Sequence, residues 1–141
     1  MKHIRADRGA RTDADGTVFD SASELKRWWE LRALAKLGMI SDLRRQVVFE
    51  LWAFGKCAQR IPVKIRSARY KNGRACIWTA DFAYFENGVQ VYEEHKGVWT
   101  EAARLRIAIA EACYGITVRI TGPAKMRKAP RRKPRSLVEA R

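Results

Sequence analysis

One dipeptide constrains this chain more than any other feature: Asn87-Gly88, set between the β-rich runs that begin at Trp78 and Val89. Both central residues of a two-residue hairpin turn need positive φ, and Asn-Gly supplies it. The turn fixes the register. If Glu86 pairs with Val89, paired residue numbers sum to 175, which sets Asp81 opposite Glu94 and Thr79 opposite Lys96. Counted inward from the turn, Asp81–Glu94 is a non-hydrogen-bonded pair, the kind in which side chains approach most closely.

Two carboxylates directly opposite each other on one sheet face repel. The repulsion can be relieved by protonation, by water or by a cation. Lys96 lies two residues beyond Glu94 and so projects to the same face. Two acids and an amine within a few ångströms suit a hard divalent cation held by oxygen, with an ammonium beside a reacting phosphate. Glu93 and His95 alternate to the other face, which predicts structural or solvated roles for both.

The chain's charge names a class of partner. Its 141 residues, sized for one domain, carry 29 Lys+Arg against 15 Asp+Glu, a net charge of +14 and a pI near 10.4. Such an excess points to a polyanion, with nucleic acid ahead of a membrane surface. Cys57, Cys76 and Cys113 form no Cys-x-x-Cys, and His3 and His95 lie far apart, which argues against a zinc site or a disulfide framework. No apolar run is long enough to span a bilayer, so a soluble cytoplasmic protein is expected.

Along the chain, residues 1–15 read as a flexible arm, with a short strand at Thr17-Val18-Phe19. Ser21 with Glu24 three residues later is a capping box, and Gly38 suits the C′ position of the helix that follows. Capping alone accounts for Glu24. The wheel also places it on the same arc as Leu25, Trp28 and Leu31, where it could be a third carboxylate aimed at the sheet. Leu43 to Phe54 reads as a strand apolar on both faces, with Gln46 near its start as a candidate contact to the site. Residues 55–72 are a basic stretch whose Lys64, Arg66, Arg69 and Lys71 could follow a phosphate backbone, with a short strand at 61–65. Thr100 caps a second helix that stops at Gly115, with Leu105, Ile109 and Ala112 as its expected core face and Arg104 as a candidate phosphate contact. A last strand spans 116–120. Residues 122–141 hold eight basic residues against Glu139, half the net charge, and with Pro123, Pro130 and Pro134 read as a disordered basic tail. In it Lys125, Arg127, Lys128, Arg131, Arg132 and Lys133 are candidate nucleic-acid contacts.

The order is helix, strand, two-stranded hairpin, helix, strand, with Asp81 and then Glu94-x-Lys96 on the hairpin. This arrangement resembles the PD-(D/E)xK nuclease superfamily, with its αβββαβ core, and more narrowly a family of small phage and prophage proteins. The matching stretches are Val18-Phe19-Asp20-Ser21 leading to Glu24, Gly38-Met39-Ile40-Ser41-Asp42-Leu43 leading to Gln46, Thr79-Ala80-Asp81-Phe82, and Glu93-Glu94-His95-Lys96-Gly97. They fall between residues 17 and 120. Ala80 stands where many superfamily members have proline.

The resemblance implies an α/β domain over residues 16–121 with a mixed central sheet flanked by helices, as in restriction endonucleases. It implies a metal-dependent phosphodiesterase in which Asp81, Glu94 and Glu24 hold Mg²⁺ or Mn²⁺. Lys96 would orient or deprotonate the attacking water. The expected substrate is DNA, in particular branched DNA cut by a homodimeric Holliday-junction resolvase encoded by a phage or prophage. The rivals are a DNA-binding protein without catalysis on the same scaffold and a nicking or restriction-like nuclease on linear duplex.

Overall fold

The Asn87-Gly88 turn forms as its residue types require, with φ of 51° and 75°. It joins two antiparallel strands at the centre of an α/β domain. The computed structural model describes residues 11–61, 64, 65, 68, 69 and 74–122. Its elements are α1 (Ala22–Lys36), β1 (Ile40–Glu50), β2 (Trp52–Ala53), β3 (Lys56–Cys57), β4 (Lys64–Ile65), β5 (Ala68–Arg69), β6 (Ile77–Glu86), β7 (Val89–His95), α2 (Glu101–Tyr114) and β8 (Val118–Thr121). The main sheet has the order β1-β6-β7-β8. β1–β6 and β6–β7 are antiparallel and β7–β8 is parallel, so the sheet is mixed. Two small hairpins, β2–β3 and β4–β5, lie between β1 and β6.

Local chemistry sets the helix ends. Ser21 Oγ accepts the Glu24 amide at 3.1 Å, and Thr100 Oγ1 accepts the Ala103 amide at 3.1 Å. Gly115 closes α2 at φ 62°. Along β7 the side chains alternate regularly: Val91 packs towards α1 and Tyr92 towards α2, so the helices cover opposite faces.

β1 and β6 do not alternate regularly. Phe82 and Tyr84 pack with Phe19 and Leu25 on the α1 side, whereas Trp78 and Ala80 pack with Ile107 and Ala110 on the α2 side. Residues two apart on a strand share a face, so β6 rotates between Ala80 and Phe82. β1 does the same: Leu43 belongs to the α1 cluster, Val47 and Phe49 to the α2 cluster. Arg45 pairs with Phe82 and Val47 with Ala80, and the intervening Gln46 has φ 54°. Both strands thus rotate at the Gln46–Asp81 step.

Several expectations are corrected. The strand expected over 43–54 begins at Ile40 and ends at Glu50, and Phe54 sits in the β2–β3 turn beside Gly55. It is not covered on both faces, since Val48 is exposed. The buried stripe of α2 is Ala103, Ile107 and Ala110, while Leu105 and Ala112 are exposed. Two of the three buried residues are alanines, with Ile107 between them, and Leu105 falls outside the stripe. The arm expected to be loose through residue 15 is docked from residue 11. Buried Asp13 accepts both indole N–H groups, from Trp28 at 3.3 Å and Trp29 at 3.0 Å, and pairs with Arg32 at 3.2 Å. The Trp29 bond in particular holds its carboxyl below the usual range. In place of a strand at 17–19 there is an isolated Thr12–Val18 bridge. The tail lies outside the described residues from 123 onward.

Candidate active site

The expected register holds through Phe82–Glu93, where the β6–β7 ladder ends. Had it continued to 80–95, the His95 amide would meet the Ala80 carbonyl. Instead it donates to Asp81 Oδ2 at 2.8 Å. The strands part at Asp81–Glu94, and β7 continues by pairing with β8. The expected Thr79–Lys96 pair does not form, since the ladder has already ended, and on the other edge of the strand the Lys96 amide donates to the Thr121 carbonyl at 2.9 Å. Gly122 is needed at this junction. Its φ is 105°, and a Cβ there would stand 2.6 Å from the Lys96 carbonyl oxygen.

The candidate groups gather at this break. Glu94 is 4 % exposed. Its Oε1 lies 2.8 Å from Lys96 Nζ, and its Oε2 accepts the Trp78 indole N–H at 3.2 Å. Asp81 is pushed up to about 7, first by burial and then by Glu94 and Glu24. The His95 amide and Lys96 oppose that rise. Asp81 and Glu94 are thus close enough for Glu94 to add to the rise, but they meet where the ladder ends and not as a cross-strand pair within it.

Glu24 completes the group from α1. It is 3 % exposed. Its Oε2 accepts the Asp20 amide at 3.3 Å, so the capping box closes one residue early. Burial, then Asp20, raise its pKa, and Glu94 adds to the rise. Arg45 Nη2 stands 3.7 Å from Oε1, beyond hydrogen-bond reach, with its guanidinium 3.8 Å over the Phe19 ring. Glu24 Oε1 is buried with no hydrogen-bond partner. A buried carboxylate oxygen left this way is costly unless something binds it.

The face that carries Glu93 and His95 is structural. Glu93 is 0 % exposed and fully bonded, to Arg27 at 2.7 and 3.1 Å, Tyr84 Oη at 2.7 Å and Thr121 Oγ1 at 2.8 Å. His95 bridges Ser23 Oγ at 2.7 Å and Thr121 Oγ1 at 3.0 Å, with burial holding its pKa down. These bonds tie β7 to α1 and β8, and so fix the strand from which Glu94 and Lys96 project.

Oxygen-only donors, an unbonded buried carboxylate oxygen and mutual repulsion fit a hard divalent cation. As the side chains stand, no three Asp, Glu, His or Cys among the described residues are grouped closely enough to hold a metal. The Lys96 ammonium neutralises Glu94 in that arrangement, so loading a cation requires these side chains to turn.

The other predicted contacts are more scattered. Gln46 is exposed and lies across from Asp81, at the step where both strands rotate. Arg104 is exposed on α2, 3.8 Å from Glu101. Lys64 and Arg69 pair through their backbones in β4–β5, their side chains outside the described residues, as are Arg66, Lys71, Lys125, Arg127, Lys128, Arg131, Arg132 and Lys133. Trp78 and Arg45 were not foreseen as site residues. The available signal for Trp78 was that a buried indole N–H needs an acceptor.

Comparison with protein families matches residues 5–128 to the model described as "Protein of unknown function (DUF1064)". The chain belongs to the DUF1064 family. Neither the curated proteins nor the solved structures contain a match to it. The DUF1064 description assigns no activity. No helix among the described residues is long and apolar enough to cross a membrane.

Proposed function

We propose that this DUF1064 protein is a Mg²⁺- or Mn²⁺-dependent DNA endonuclease of the PD-(D/E)xK type, acting on branched DNA as a Holliday-junction resolvase. The observation that carries the reading is the convergence of Glu24, Asp81, Glu94 and Lys96 on one break in the sheet, with Glu24 Oε1 buried and unbonded. Asp81, Glu94 and Glu24 are the residues that would hold the cation. Bound there, it would supply a water of lowered pKa and a Lewis acid for the phosphate oxygens.

The chain's own residues do the rest. The His95 amide holds one oxygen of Asp81, and the Trp78 indole holds one oxygen of Glu94, which anchors both carboxylates at the break. Lys96, once off Glu94, orients or deprotonates the attacking water and offsets charge on the phosphate. The +14 net charge concentrates the protein on DNA without regard to sequence. Symmetric cutting of two strands calls for two sites and therefore a homodimer. The setting we propose is the cytoplasm of a bacterial host, with the gene carried by a phage or prophage.

One observation favours a DNA-binding protein without catalysis. Both Glu94 oxygens are engaged, and among the described residues no three-donor group is assembled. The paired substitution Glu94→Ala with Lys96→Ala separates the readings. The nuclease reading requires cleavage to disappear while junction binding remains. Cleavage unchanged by the pair would remove the site from the reaction.

A further inference from the structure

The β2–β3 hairpin carries an unusual tip. Its turn residues, Phe54 and Gly55, have φ of 50° and 76°, the geometry that Asn87-Gly88 adopts in the other hairpin. Glycine suits such a position and asparagine tolerates it, whereas a bulky aromatic meets its own carbonyl there. Phe54 is also 104 % exposed, so it gains no burial in return. A residue unfavourable to both backbone and solvation is explained by what it meets outside the protein.

The base of this hairpin is tied to the backbone beside it. The Leu51 amide donates to Cys76, Ala58 to Leu51, Cys76 to Ala58 and Arg60 to Arg74, all between 2.7 and 2.9 Å. On the α2 side, Cys113 Sγ–H donates to the Trp52 carbonyl at 3.1 Å. Beside the tip is a cleft of about 320 Å³ whose lining includes Trp52, Leu105, Arg60 and Arg106. Apolar walls carrying guanidinium groups match a nucleobase with its phosphate.

We infer that Phe54 is a base-stacking wedge, inserted between unstacked bases of nucleic acid, with the adjoining cleft taking the flanking nucleotide. The inference rests on the proposed action on DNA and adds how the substrate is distorted. Eight residues separate Phe54 from Gln46, which lies across from Asp81, and an extended chain covers roughly 3.3–3.6 Å per residue, so the Phe54 and Gln46 backbones are at most about 29 Å apart.

The test compares the full-length wild type with Phe54→Asn and Phe54→Trp, in EDTA, on a synthetic four-way junction and on linear duplex of the same sequence. Stacking of one aromatic on a base predicts that Phe54→Asn binds the junction about 5- to 160-fold more weakly. Phe54→Trp should bind as the wild type does. Because asparagine suits the turn, Phe54→Asn should melt at or above the wild-type temperature, which separates lost binding from lost folding. Junction affinity unchanged in Phe54→Asn, or lost equally in Phe54→Trp, overturns the wedge and leaves the nuclease reading standing. A wild type that binds neither DNA overturns both.

Discussion

If Asp81 is raised to about 7 by burial and neighbouring carboxylates, replacing it with a neutral isostere should stabilise the fold, and the gain should depend on pH. Asp81→Asn keeps an oxygen to accept the His95 amide and removes the charge that Glu94 and Glu24 repel. The folded protein retains a proton that the unfolded chain releases near 3.8, so the wild type loses stability as pH rises from about 4 to about 7 and no further above that. A rise of about three units at 1.36 kcal/mol each sets a ceiling of about 4 kcal/mol at pH 8. Asp81 is partly exposed, and solvent screening reduces the expected gain to about 1–3 kcal/mol. Urea denaturation of both proteins between pH 4 and 8 measures it. A gain that does not grow with pH, or a variant less stable than wild type at pH 8, refutes the reasoning.

Other perturbations probe the frame around the site. Gly122→Ala drives a Cβ to 2.6 Å from the Lys96 carbonyl at φ 105°, and should destabilise by at least about 2 kcal/mol in urea denaturation while shifting the Lys96 backbone. Arg27→Ala leaves the fully buried Glu93 without its guanidinium and should cost about 3 kcal/mol by the same measurement. Mn²⁺ should raise the melting temperature of the wild type by relieving the carboxylate repulsion, and Glu24→Gln should abolish that rise.

Turn chemistry made the heart of the site legible. Asn87-Gly88 sets the register that the strands keep from Glu86–Val89 to Phe82–Glu93, which separates Glu94 from Glu93 and leaves Asp81 and Glu94 where the ladder ends. Glu24 was legible only as ambiguous. A capping glutamate and a buried site carboxylate look alike in sequence, and here one oxygen caps while the other is buried unbonded. Three features were hidden for physical reasons. The α2 core stripe is built on alanines, whose burial depends on how closely the helix approaches the sheet. The rotation at Gln46 needs positive φ in a residue that does not advertise it. Phe54 contradicts the turn preference that made the other hairpin readable, and so it read as strand.

Cleavage by the wild-type protein measures the central claim most directly. Four-way junctions, linear duplex and single strands are incubated with Mg²⁺ or Mn²⁺, with and without excess EDTA. The expected result is phosphodiester cleavage, strongest on the junction, that EDTA stops and that Lys96→Met abolishes without loss of binding. DNA left intact across the panel with either metal, or cleavage that continues in EDTA, contradicts it.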